Sequence, residues 1–140
     1  MIILASDHAG YPLKKDLIAF FNKCNIVIED VGTYSDETVD YPEFAYIANE
    51  KVAESPENIG IYVCGSGIGM SIAANRNRSI RAALCTSVKL ASLSRRHNDA
   101  NVLVLPGRFI TKRKAIAIVK EFLTRKFESG RHYKRVQKLY

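Results

Sequence analysis

Ile59-Gly60-Ile61-Tyr62-Val63, then Cys64-Gly65-Ser66-Gly67-Ile68-Gly69, then Met70-Ser71-Ile72-Ala73-Ala74-Asn75 is the stretch that decides the fold. An apolar run of strand length passes through a loop with a glycine at every second position into a helical pattern, the unit from which parallel sheets are built. Glycines let backbone N–H groups crowd around a ligand at a helix start, and a thiol at a strand's carboxyl end sets a reactive sulfur beside them. The stretch therefore has the makings of an anion site with chemistry in it.

Outward from this unit, short apolar runs alternate with amphipathic stretches along the whole chain, and strands are expected at 1–5, 25–31, 59–64, 80–85 and 101–105. Leu13, Leu17, Phe20 and Phe21 repeat at i, i+4, i+7, i+8, and Ala115, Ile118, Val119 and Phe122 at i, i+3, i+4, i+7, so each of these helices has one buried stripe. Asp40-Tyr41-Pro42-Glu43 reads as a helix start, and Ser87 and Thr111 as caps of the fourth and fifth helices. Strand–helix alternation predicts an α/β domain of three layers, a five-stranded parallel sheet covered on both faces, doubly wound and Rossmann-like. Nothing divides residues 1–140 into two domains. A last helical piece, 131–140, carries Tyr133, Val136 and Tyr140 at i, i+3, i+7, a stripe that needs a surface on its own domain or on another subunit.

With 140 residues the chain has enough apolar content, 47%, to fold without staples. Cys24, Cys64 and Cys85 are an odd count with no CxxC pair and no signal-peptide pattern before them, which favours a reducing cytoplasm over a disulfide framework. No apolar stretch approaches the roughly 20 residues that span a bilayer, so no membrane partner is expected. The net charge of +7 is a property of the tail: from Lys112 onward ten Lys and Arg face only Glu121 and Glu128. The tail lacks a nucleic-acid motif and aromatic–basic alternation, so a small phosphorylated ligand suits it better than nucleic acid.

Ligands of open α/β sheets collect beyond the carboxyl ends of the strands. Asp7-His8 follows the first strand, the glycine loop the third and Pro106-Gly107-Arg108 the fifth; His97-Asn98-Asp99 precedes the fifth and is expected to fold back to join them. These residues carry a resemblance. Asp7-His8-Ala9-Gly10, Asp40-Tyr41-Pro42, the run Cys64 to Asn75, Arg95-Arg96-His97-Asn98-Asp99-Ala100-Asn101, Gly107-Arg108, and Gly130-Arg131-His132 followed by Arg135 resemble, in order and end to end, the type B ribose-5-phosphate isomerases. That resemblance implies a single doubly wound domain, dimers that sometimes pair into tetramers, no metal and no organic cofactor. The reaction it implies is the aldose–ketose exchange of ribose 5-phosphate and ribulose 5-phosphate through an enediolate, a step of the pentose phosphate pathway. Related enzymes isomerise hexose 6-phosphates such as those of allose or galactose, and that alternative stays open. A flavodoxin-like phosphate- or nucleotide-binding module is the alternative from another class.

Carried over by position, Cys64 resembles the base that takes the C2 proton; Met70, not an acid, follows the glycines, which favours the sulfur. A free thiol is only about 3% ionised at neutral pH, and a helix N-terminus is expected to lower its pKa. Amides from Gly65, Ser66, Gly67, Ile68 and Gly69 are expected to form an anion hole for the enediolate. Ser66 matches a position that touches the sugar. His97 resembles the residue that opens the sugar ring, since an imidazole gives and takes protons near neutrality. Asn98 would hold sugar hydroxyls, and Asp7 is either a ring contact or a cap of the first helix. His8, Arg108, Arg131 and Arg135 are the phosphate candidates; Arg131 and Arg135, at i and i+4, share a face if helical, and in the family they come from the neighbouring subunit. Asp40-Tyr41-Pro42 is explained as a helix start bordering the pocket, while Cys24 and Cys85 read as structural.

Overall fold

The computed structural model describes residues 1–140. Strands β1 (Ile2–Ser6), β2 (Ile28–Asp30), β3 (Ile59–Cys64), β4 (Ala82–Leu84) and β5 (Val102–Pro106) form one sheet in the order β2-β1-β3-β5-β4, each neighbouring pair parallel. Helices α1 (Tyr11–Lys23), α2 (Tyr41–Ala53), α3 (Ile68–Ala74), α4 (Val88–Asn98) and α5 (Lys112–Thr124) fill the connections and follow β5. No helix is long and apolar enough to cross a membrane.

The period of two along each strand sorts its side chains onto two cores. Leu4, Ile61, Val63, Leu103 and Leu105 pack with Leu13, Leu17 and Phe21 of α1, Ala91 of α4, and Ala115, Ile118, Val119 and Phe122 of α5. Ile3, Ala5, Tyr62, Cys64, Val102 and Val104 face the other way, onto Ala45, Ala48 and Val52 of α2 and Met70, Ala73 and Ala74 of α3. The three-layer, doubly wound architecture is therefore as expected, and both helical stripes are buried. Cys64 belongs by this alternation to the α3 side, which aims its thiol at the start of that helix.

Three boundaries differ from the sequence reading. Cys24 to Val27 leave α1 instead of entering β2: Asn25 is left-handed at φ 55° and Ile26 donates its N–H back to Phe21 O at 2.9 Å. At β4 the ladder covers three residues, because Arg81 N–H is taken by Asn101 Oδ1 at 2.8 Å. The tail is not one helix over 131–140 but a 3₁₀ turn (Gly130–His132), the single turn α6 (Tyr133–Val136) and a second 3₁₀ turn (Gln137–Leu139). Of its apolar stripe only Val136 is buried; Tyr133 and Tyr140 are each 54% exposed. Ser87 and Thr111 cap α4 and α5 through Leu90 and Lys114 N–H groups, each at 3.2 Å, whereas Asp40 stands at the α2 N-cap without a side-chain bond.

Candidate active site

α1 carries the chain from β1 toward β2, and α3 carries it from β3 the opposite way toward β4, so the connections diverge between the carboxyl ends of β1 and β3. Backbone hydrogen bonds zip the loops around that crevice: Asp7 N–H to Val63 O at 3.2 Å, Gly107 N–H to Cys64 O at 2.8 Å and Arg108 N–H to Gly65 O at 3.0 Å. Gly10 makes the close approach possible, since a Cβ there would stand 2.2 Å from Val63 O. Asp7, His8, the loop 64–69 and Arg108 are thereby brought together, as the sequence predicts.

Cys64 is 4% exposed, covered on nearly all sides yet still in touch with solvent. Burial pushes its thiol above the ordinary range; backbone hydrogen bonds from Met70, Gly67 and Ser66 pull it down, and the Asp7 carboxylate pushes it up. The net direction is upward, which corrects the expectation of a lowered pKa: the helix-start donors are present, but burial outweighs them. The anion-hole expectation shifts as well. Two amides of the segment, Ser66 and Gly67, together with Met70 just beyond it, act on the sulfur itself, and Ile68 N–H goes to Ser66 Oγ at 3.3 Å. The N–H groups near the sulfur thus ease the charge on Cys64 without outweighing its burial, while Ser66 keeps its hydroxyl proton to donate.

Asp7 is not the cap of α1, whose N-cap is Gly10; its Oδ1 accepts Gly10 N–H at 2.8 Å and closes the turn between β1 and α1. His8 Nδ1 lies 3.2 Å from both the N–H and the carbonyl oxygen of Val39. With Nδ1 accepting from that N–H, Nε2 carries the proton and presents it as a donor to an anion. Arg108 runs alongside Gly65, its Nη1 3.7 Å from where a Gly65 Cβ would be. Tyr41 lies over the start of α3, with its ring 2.6 Å from a Cβ on Gly69, so it does border the loop. Val39 is a contributor that its own residue type does not announce.

His97 and Asn98 do not fold back. α4 runs against the strands and ends at the amino edge of the sheet, where Asp99, left-handed at φ 48°, turns the chain directly into β5 and Ala100 N–H bonds Ser94 O at 3.0 Å. Cys64 pairs with Pro106 at one end of β5 while Gly60 pairs with Val102 at the other. Four residues of strand separate those levels, about 13 Å. Within one chain His97 and Cys64 therefore stand at opposite edges of the sheet.

The tail meets His97 there. The His97 and His132 rings stack at 4.1 Å with planes 12° apart, and Glu128 Oε2 is 3.7 Å from His97 Nε2. Arg96 Nε donates to Glu128 Oε1 at 2.5 Å, and Glu128 N–H to Arg96 O at 3.0 Å. Burial lowers the His132 pKa, and His97, Arg131 and Arg135 lower it further, so both exposed arginines lie within electrostatic reach of this ring. Arg131 sits in the first 3₁₀ turn and Arg135 in α6, so they share a neighbourhood though not one regular helix. His97, Glu128 and His132 are the only grouping with metal-ligand composition, their ligand atoms within 4.8 Å of one another. Arg96 already holds the carboxylate, and the surrounding guanidinium groups oppose a divalent cation and favour an anion.

This fold, with a thiol at the switch point of a doubly wound parallel sheet, sets the chain among α/β proteins whose site lies at the carboxyl ends of the strands. A family model described as Ribose/Galactose Isomerase matches residues 2–139, and the chain belongs to that family of isomerases. The crystal structure of a ribose 5-phosphate isomerase from Thermotoga maritima is 48% identical and superposes with a TM-score of 0.96 over 99% of this chain and 95% of that one. Ribose-5-phosphate isomerase B from Mycoplasma genitalium, solved with bound ribulose-5-phosphate, is 41% identical at a TM-score of 0.93 over 99% and 92%. Ribose-5-phosphate isomerase B of Escherichia coli is 40% identical over 136 residues, 97% of this chain and 91% of the relative.

Proposed function

We propose that the protein interconverts ribose 5-phosphate and ribulose 5-phosphate, in sites each completed by a second copy of the chain. The observation that carries this reading is the Cys64 thiol beside Asp7, faced by the amides of Ser66, Gly67 and Met70. A base that takes a proton from carbon needs such a setting, in which the anion is supported but not so stabilised that it loses basicity. The relative from M. genitalium that holds ribulose-5-phosphate supports the substrate.

The sulfur takes the proton on C2 of the open-chain aldose, the C–H pair forms C1=C2 as the carbonyl pair moves onto O1 to make the enediolate, the O2 proton passes to O1, and the sulfur returns its proton to C1 as C2 becomes the ketone. Ser66 Oγ–H, free to donate, serves an enediolate oxygen. His97 moves a proton from the C1 hydroxyl to the ring oxygen as the furanose opens, and Asn98 holds sugar hydroxyls. His8 and Arg108 on one edge, Arg131 and Arg135 on the other, take the phosphate, with guanidinium forks matched to its oxygens.

Because these groups occupy opposite edges of one sheet, a two-fold pair supplies what one chain cannot. If the carboxyl edge of one protomer meets the amino edge of its partner, symmetry makes the reverse contact too, and each dimer holds two whole sites. Ile68 and Ile72, a turn apart on α3 and 57% and 55% exposed, offer the apolar surface beside Cys64 that such a pair would cover. A nucleotide-binding module is disfavoured because three loop amides that would grip a phosphate are engaged already, those of Ser66 and Gly67 by the sulfur and that of Ile68 by Ser66 Oγ. Hexose 6-phosphates remain the second reading, favoured by the galactose in the family's description; parallel turnover on ribose, allose and galactose phosphates decides it.

The test is deuterium incorporation from solvent into the carbon skeleton of ribose 5-phosphate. Wild-type protein is expected to catalyse it, and Cys64→Ala to stay folded and lose at least about 10²-fold in rate, the usual scale of a lost general base. Undiminished exchange in Cys64→Ala removes the thiol from the mechanism.

A further inference from the structure

Glu128 is the acid nearest the ring-opening imidazole, and no step above uses it. Its two oxygens do different things: Oε1 is held by Arg96 Nε at 2.5 Å, and Oε2 points at His97 Nε2 from 3.7 Å. The hydrogen bond from Arg96 keeps the carboxyl below its ordinary range, so it stays an anion at any pH where the enzyme would work. The backbone is tied to the same place by Glu128 N–H to Arg96 O at 3.0 Å, two bonds between the tail and the last turn of α4. His132, 7% exposed, stacks on His97 with the two ring planes 12° apart. The imidazole thus has a fixed anion 3.7 Å from its edge and a ring stacked on its face. The His97 ring nitrogens are without a hydrogen bond in the chain, and Glu128 Oε2 is the acceptor that stands near one of them.

We propose that Glu128 is a positioning residue for ring opening: its Oε2 accepts a hydrogen bond from Nε2–H of His97 as the two close from 3.7 Å, leaving Nδ1 as the nitrogen that works on the sugar. The proposal rests on the isomerase reading above. Nδ1 accepts the proton of the C1 hydroxyl, and the imidazolium so formed is paired with Glu128 through Nε2–H. The C1–O4 bond then breaks, C1 becomes the aldehyde carbon, and Nδ1–H passes its proton to O4. The net change moves one proton from O1 to O4, and His97 returns to its starting state. A carboxylate behind a histidine acts in this way wherever it fixes the tautomer and supports the cation that forms during transfer. The stacked His132, held neutral by burial and by its cationic neighbours, adds a platform without adding a second charge.

Sugar chemistry supplies a test that separates this role from a structural one. Ribose 5-phosphate enters mostly as a closed furanose and must be opened, whereas ribulose 5-phosphate cannot close through its phosphorylated O5 and enters as an open chain. A group that serves only ring opening therefore matters for the aldose and is idle during enolisation of the ketose. In Glu128→Gln, kcat on ribose 5-phosphate should fall about 10-fold or more, the usual scale for a lost orienting carboxylate. Deuterium exchange from solvent into C1 of ribulose 5-phosphate should continue at the wild-type rate, which also shows that the variant is folded and its site assembled. Equal losses in both assays would assign Glu128 to general architecture and overturn the proposal, as would no loss in either. Wild-type protein that exchanged no deuterium into either sugar would sink the isomerase reading, and this proposal with it; that result is distinct from a Glu128→Gln effect.

Discussion

At the scale of single residues, the balance at Cys64 sets how activity must depend on pH. Its pKa is raised by burial first, against the pull of three amides, so the protein at neutral pH holds mostly the protonated thiol. The fraction of base grows as pH rises, and turnover is expected to climb through and beyond the ordinary thiol range near 8.5. The sign for stability is opposite. A thiol whose folded pKa is raised stabilises the fold fully below the unfolded value, and that contribution is lost as pH rises through the folded one. Cys85, buried beside Ser94 Oγ at 3.9 Å, acts in the same direction. Initial rates and urea midpoints measured side by side should therefore diverge above about pH 8.5; a rate that is flat or falling there would rule out a thiol base with a raised pKa. Asp7, His8, Cys64 and Arg108 were legible in the sequence because each lies at or just past a strand's carboxyl end, and parallel topology brings all such ends together. His97 was misplaced for the complementary reason: it ends a helix, and a helix that returns between parallel strands ends at their amino edge. Glu128 was not legible, since its partners Arg96 and His97 are more than 30 positions away in the chain.

At the scale of elements, the segment between β2 and α2 is held by a buried cation. Lys14, on the inward side of α1 and fully buried, pairs with Asp30 at the end of β2 and donates to Thr33 O at 2.6 Å. Asp30 Oδ1 also accepts Gly32 N–H at 3.0 Å, so one carboxylate and one ammonium fasten the first residues of a loop that goes on to present Val39 to His8. Lys14→Met removes the cation and leaves a partly buried carboxylate unpaired, which should lower stability by about 3 kcal/mol in urea unfolding. If the loop positions His8, KM for the sugar phosphate should rise more than kcat falls; an unchanged KM would make the lysine a matter of folding alone. Apolar runs and cap residues were sufficient to find every strand and the five longer helices. They failed at the edges of elements, where Asn25 turns left-handed and Asn101 intercepts Arg81, because side-chain-to-backbone bonds of that kind leave no periodic trace. The tail failed differently: Arg131, Tyr133, Arg135 and Tyr140 remain exposed, so nothing in one chain enforces a continuous helix there.

At the scale of the whole molecule, a site split between opposite edges of two chains predicts complementation. Cys64→Ala and His97→Asn are each expected to be inactive alone. Mixed under conditions that let subunits exchange, they should form pairs in which one site carries both defects and the other neither. Random pairing restores about a quarter of the wild-type sites. No recovery in a mixture shown to contain mixed pairs would place the whole chemistry within one chain. The backbone zipper joining the turns after β1, β3 and β5 has a further consequence. With Asp7, Cys64 and Arg108 tied to one another through main-chain bonds, that edge has little room to adapt to sugars of different size. In a divided site, the span from the sulfur to Arg131 and Arg135 is then fixed by how the two protomers are seated. Discrimination between a five-carbon and a six-carbon skeleton becomes a ruler laid across the subunit boundary, and a shift in docking angle would change the carbon count it measures.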